Sequence, residues 1–117
     1  MAKHLEAGSL GETLAAQYLK EKGYEILFQN WRYKHLEVDI IAKERGILVF
    51  VEVKSRRNER YGTPDEFVDQ HKQTCLIRAA DVFLAGSSYA GDIRFDIVSV
   101  YLSSGKIELI RDAFWSH

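Results

Sequence analysis

The sequence predicts a small α/β domain, a mixed sheet with flanking helices, covering residues 1–117. Three observations lead there. Two stretches repeat apolar residues at helical spacing, several short runs read as strands, and Gly-containing turns separate them. The length suits one domain and leaves no room for a second.

A first helix is expected over residues 5–22, where Leu10, Leu14 and Tyr18 recur every four residues and Gly23 follows as a stop. Residues 24–30 read as a strand. Residues 37–42 and 47–53 read as two more, joined through Lys43-Glu44-Arg45-Gly46 as a four-residue hairpin turn. Thr63-Pro64-Asp65-Glu66 carries a capping residue, a first-turn proline and a capping-box glutamate, so a second helix is expected over 63–85. Strands at 93–102 and 106–110 flank Ser103-Ser104-Gly105.

Sixteen Lys and Arg against seventeen Asp and Glu give a net charge of −1, which is not the strong positive balance of a dedicated nucleic-acid binder. Local distribution says more: Lys54, Arg56, Arg57 and Arg60 stand within seven residues. The one cysteine, Cys75, excludes an internal disulfide and fits a reducing compartment. The amino-terminal residues lack the apolar run of a secretory signal, and no stretch approaches a membrane span, so the expected location is cytoplasmic.

The hairpin carries the chemistry. Alternate residues of a strand share a face, so Glu52 and Lys54 point the same way. An even-length turn pairs odd with even positions, which brings Asp39 to that face. With Ala42 opposite Ile47, Asp39 lies opposite Phe50 and one diagonal step from Glu52. Ile47-Leu-Val-Phe-Val is apolar without alternation, the mark of a strand covered on both sides. Two carboxylates forced together at its end must either protonate or share a cation. Oxygen ligands suit Mg²⁺ or Mn²⁺. A divalent ion there would activate water and offset charge at phosphorus, with Lys54 orienting the water or an attacked phosphate oxygen. The plainer alternative is that Asp39 and Glu52 cap strand ends and Lys54 forms a simple salt bridge.

Glu12 falls inside the apolar arc of the first helix, where it can reach the cation, snorkel to solvent or pair with an arginine. Lys72 lies near the middle of the arc formed by Val68, Cys75, Leu76, Ala79, Val82 and Phe83. It either meets an anion of the site or covers apolar surface with its stem. Cys75 reads as core. His4, His35, His71 and His117 lack zinc-ligand spacing. Trp31 and Tyr33, beside Arg32 and Lys34, can stack on bases or simply pack.

Gly8-x-x-Gly11-Glu12, Gly23-Tyr24, Asn30-x-Arg32, Glu37-Val-Asp39-Ile-Ile-Ala42, Val49-Phe-Val-Glu52-Val-Lys54-x-Arg56, Gly62-x-Pro64, Lys72 and Arg94-Phe-Asp96 occur in that order. The set resembles the YraN-like family of bacterial proteins across nearly the whole chain. That family looks like the archaeal Holliday-junction resolvases and the restriction-endonuclease-like, PD-(D/E)XK superfamily. The resemblance implies an αβββαβ core and Mg²⁺- or Mn²⁺-dependent phosphodiester hydrolysis. It implies Asp39, Glu52 and Glu12 as metal ligands and Lys54 as the catalytic lysine, with Glu37 and Lys72 at family positions. Arg32, Arg56, Arg57 and Lys72 are the expected nucleic-acid contacts, DNA the expected partner, and a homodimer the expected assembly. Leu36 stands where the family usually has Gly, a change expected to affect access or strand bending. The leading expectation is an endonuclease acting on branched or single-stranded DNA. A module that binds nucleic acid or ribonucleoprotein without cutting is the alternative, and a metal-free interaction protein the third.

Overall fold

The computed structural model describes residues 3–57 and 69–115. The element order is α1 (Lys3–Glu21), β1 (Glu25–Tyr33), β2 (Leu36–Glu44), β3 (Ile47–Arg56), α2 (Gln70–Ala85), β4 (Ile93–Tyr101) and β5 (Lys106–Phe114). The five strands form one sheet in sequence order. β3 and β4 run parallel across the α2 crossover, and every other neighbouring pair is antiparallel. This is the expected small α/β domain with a mixed sheet and flanking helices. Among the described residues no helix is long and apolar enough to cross a membrane.

Several boundaries move, for local reasons. α1 closes with Tyr24 N–H donating to Leu19 C=O and Gly23 N–H to Lys20 C=O, a Schellman pattern. β1 continues past Asn30 to Tyr33, and β5 past Ile110 to Phe114. The β2–β3 turn has two residues, not four: Glu44 pairs with Ile47, and Arg45 and Gly46 both take positive φ (51° and 79°). That geometry matches the twist of the flanking strands and strongly favours glycine. The register therefore slides, and Ala42 faces Val49 instead of Ile47. α2 begins at Gln70, capped by extended Asp69, whose side chain accepts from Lys72 N–H. The Thr63–Glu66 start signal lies outside the described residues.

The sheet is packed on both faces, as the unbroken apolar run of β3 requires. Leu48 and Phe50 join Leu76, Ala79 and Ala80 of α2, while Val49 and Val51 join Ala15, Ala16 and Leu19 of α1. The buried face of α1 is rotated from the expected arc. Leu10 is 51% exposed, and Gly11, Ala15 and Leu19 face the sheet. Small side chains let the helix lie close: a Cβ on Gly11 would stand 1.8 Å from Ser55 Oγ. Leu36 is buried against the α2-side cluster, so its side chain adds to the core.

A charged network locks one end of the sheet. Tyr24 OH donates to Asp96 Oδ2 (2.7 Å). Arg94 donates to both Asp96 oxygens, to Tyr24 OH and to Glu44 Oε1. Arg111 closes on Glu44 from β5, and Asp112 N–H donates to Asp96 Oδ1. The Arg111 hydrogen bond, with Arg94 in support, outweighs burial and holds the Glu44 carboxyl down at about 2. A depressed carboxylate contributes stability above its unfolded value and loses it as pH falls. Acid unfolding followed by circular dichroism should therefore deepen from about pH 4.5 toward pH 2 in the native chain, and Glu44→Gln should remove that component. Replacing Arg94 with Met leaves buried Asp96 without a cation, Glu44 keeping Arg111, and should cost about 3–5 kcal/mol in urea unfolding.

Candidate active site

β2 and β3 part company at Asp39. Their ladder ends at Ile40–Val51, whereas β3 stays paired with β4 out to Arg56. Continuing the register by one step sets Asp39 opposite Glu52, closer than the diagonal expected from a four-residue turn. Val53 N–H, left without a β2 carbonyl, donates instead to Asp39 Oδ2 (2.8 Å). A buried N–H needs a partner, and here a side chain supplies it.

The irregularity extends into β1. Asn30 and Asp39 drop out of the β1–β2 ladder between Gln29–Ile40 and Trp31–Val38, and Asn30 is left-handed (φ 56°). Val38 and Ile41 both reach the α2-side core, and Phe28 and Trp31 both meet Phe83. Residues three apart would occupy opposite faces of a regular strand. Both strands have therefore switched faces across this point. Sequence alternation could not anticipate the switch.

Glu52 is 4% exposed. Burial, then the charge of Asp39, push its carboxyl up to about 7, and burial also raises Asp39. The two carboxyls share a hydrogen bond, the expected response of paired acids in a dry site. Lys54 Nζ stands 3.5 Å and Lys72 Nζ 3.6 Å from the same Glu52 oxygen, Oε2. Lys72 thus turns its charge toward the site.

Glu12 comes from the opposite side, because α1 and α2 pack on different faces. Burial and Asp39 raise its carboxyl, and the Asn30 side chain hydrogen-bonds to it. Its Oε1 is buried with no partner. Among the described residues no three His, Cys, Asp or Glu side chains are placed to hold a metal together. Asp39 and Glu52 are brought together, and Glu12 is near enough for Asp39 to act on it without the three forming one ligand set. The donors nevertheless suit a hard cation: two paired acids that resist ionising together, and an orphaned carboxylate oxygen close behind.

The other candidates are dispersed. Arg32 pairs with Glu37 at 3.1 Å on the surface, near enough to Glu12 for both to influence it. Arg56 is half-buried in register with Tyr101, and Arg57 is exposed at the end of β3. Cys75 packs on the α2-side core, with Sγ 3.7 Å from His71 Nε2.

The family described as "Uncharacterised protein family UPF0102" matches residues 11–100. A UPF0102 protein of Flavobacterium psychrophilum is 41% identical, covering 98% of each chain. One from Caldanaerobacter subterraneus subsp. tengcongensis is 47% identical over 87% of this chain and 84% of its own. One from Rhodococcus opacus is 48% identical over 97% of this chain and 100% of its own.

Two measurements test this geometry. The folded Glu52 carboxyl titrates above its ordinary value of 4.5. The native state therefore keeps a proton that the unfolded chain has released, and stability falls as pH rises from 4.5 to about 7. Glu52→Gln should remove its share of this fall, on the order of 2 kcal/mol in urea unfolding, and leave the part due to Asp39. Gly11→Ala should lower stability by about 1–3 kcal/mol through overpacking. Ser55→Ala in the same chain should recover much of it.

Proposed function

This chain belongs to the UPF0102 family, the YraN-like proteins, and on that footing we propose that it is a divalent-cation-dependent endonuclease that hydrolyses DNA phosphodiesters. The reading places the chain with the restriction-endonuclease-like, PD-(D/E)XK nucleases. One observation carries it: Asp39 and Glu52 meet where β2 and β3 separate, with two lysines on one oxygen of Glu52. A structural salt bridge needs neither a second acid nor a second base.

Asp39 and Glu52, with Glu12 nearby, would hold Mg²⁺ or Mn²⁺, which would lower the pKa of a water and offset charge on phosphorus. The remaining work falls to the side chains. Each lysine ammonium has three donors, so Lys54 and Lys72 can contact Glu52 and still face a phosphate oxygen. Lys54, on the same strand as Glu52, orients the attacking water. Lys72, from α2, neutralises the non-bridging oxygens. Val53 N–H fixes Asp39 from below and keeps it from rotating away. Water oxygen bonds to phosphorus, the ester P–O bond breaks, and a proton returns to the departing oxygen.

A second reading draws on the lysines themselves. They neutralise Glu52 without any cation, as a module that binds nucleic acid or ribonucleoprotein without cutting it would need.

A panel of linear, single-stranded and four-way-junction DNA, and of RNA, assayed with Mn²⁺ and with chelator, separates the two. The nuclease reading expects Mn²⁺-dependent cleavage that falls at least ~100-fold in Asp39→Asn and in Glu52→Gln. Binding that survives both substitutions with no strand cut selects the second reading. Thermal melting adds a direct check, since a cation bound to the native state must raise the melting temperature. No rise at millimolar Mn²⁺ would exclude the cation site.

A further inference from the structure

Beside this site, where β1 meets the end of α2, lies an open groove of about 630 Å³. Phe28, Trp31, Tyr33, Val82 and Phe83 line it, with Gly86, Ser87 and Ser88 along the rim. Phe28 is 47% and Tyr33 46% exposed. The floor is Phe83, set edge-on to Phe28, Trp31 and Phe50 with centroids 5.6, 5.7 and 5.8 Å away. Three such contacts hold the ring in place before any ligand arrives, which limits the ordering cost of binding.

We propose that this groove takes an unpaired nucleobase of the substrate strand, next to the phosphate held at Lys54 and Lys72. The inference deepens the nuclease reading by naming single-stranded or locally unpaired nucleic acid as the substrate class. Four observations carry it. Flat aromatic rings exposed together, with hydroxyls at the rim, suit a heterocycle that needs a stacking face and hydrogen-bonding edges. The lining residues carry no charge, and Lys34 Nζ, 5.5 Å from the Tyr33 ring centroid, sets a cation beside it that suits a polyanionic strand. The groove also neighbours the acid–lysine site: Trp31 pairs with Val38, the residue before Asp39, and Phe83 packs on Phe50, two residues from Glu52 on β3. β1 lies two strand spacings, roughly 10 Å, from β3 and Glu52, within reach of a neighbouring nucleotide.

The test uses the full chain in chelator, so that binding is read without cutting. Affinity is measured for a labelled single-stranded DNA, for the same strand carrying abasic positions, and for a blunt duplex. Phe28→Ser and Tyr33→Ser alter exposed rings and leave Phe83 and Trp31 in place; melting and circular dichroism check that both fold. Each should weaken single-strand binding by about 10-fold, as expected for loss of one base stack. On the abasic strand the same substitutions should change affinity less than about 2-fold, because the stacking partner is already gone. Unchanged single-strand affinity, or an equal loss on the abasic strand, overturns the proposal. So does conversion of a dimer to a monomer in sedimentation with nucleic-acid binding untouched, which would make the groove an interface between copies. A chain that never cuts but shows the abasic-dependent loss refutes the nuclease reading alone. A chain that cuts normally in both variants, with binding intact, refutes the groove alone.

Discussion

The Asp39 carboxylate accepting the Val53 N–H is the contact on which the site depends. Two strands can separate inside a packed sheet only if the freed backbone groups find new partners. Asp39 provides one, and so lets β2 turn aside while β3 stays paired with β4. The result is a break in the sheet that side chains approach from both faces, Glu12 from the α1 side and Lys54 and Lys72 from the α2 side. The same carboxylate therefore belongs to the backbone hydrogen-bonding scheme and to the acidic pair.

The sheet holds two charged clusters with opposite characters. Around Asp96 and Glu44, each carboxylate has a guanidinium, the tyrosine is hydrogen-bonded, and a backbone amide completes the set. Such a cluster has every partner it needs and reads as structural. Around Asp39 and Glu52 both lysines lie on one oxygen of Glu52, one oxygen of Glu12 has no partner, and burial and Asp39 hold the Glu52 carboxyl up at about 7. Buried polar groups are usually satisfied, and this cluster departs from that rule where the other keeps it. The two lie on adjoining strands, five residues apart on β2 between Asp39 and Glu44.

Much of this was legible in the residues. Apolar runs, turn glycines and helical spacing gave the order of elements, and parity along the hairpin brought Asp39 to the face of Glu52 and Lys54. Four things were not legible. The length of the turn depended on backbone angles at Arg45 and Gly46, and a count of residues between strands cannot supply those. The switch of faces at Asn30 and Asp39 breaks the alternation on which parity arguments rest, so the approach of Glu12 from the far side was hidden. The burial of α1 followed close approach at Gly11 and the two alanines, so Leu10, the most hydrophobic choice, was left outside. The Tyr24–Asp96–Arg94–Glu44 cluster was out of reach for another reason: its members are up to 72 residues apart, and only the fold joins them.

The two outer strands share an interruption whose effect reaches beyond the fold. β1 shifts register between Ile26 and Phe28 and turns left-handed at Asn30. β5 shifts between its pairings with Phe95 and Ile97 and turns left-handed at Asp112. An incoming strand would find only a few consecutive free amides and carbonyls on either border before the pattern broke. Lateral growth of the sheet from molecule to molecule, the first step of many protein aggregates, is blocked on both sides by these kinks.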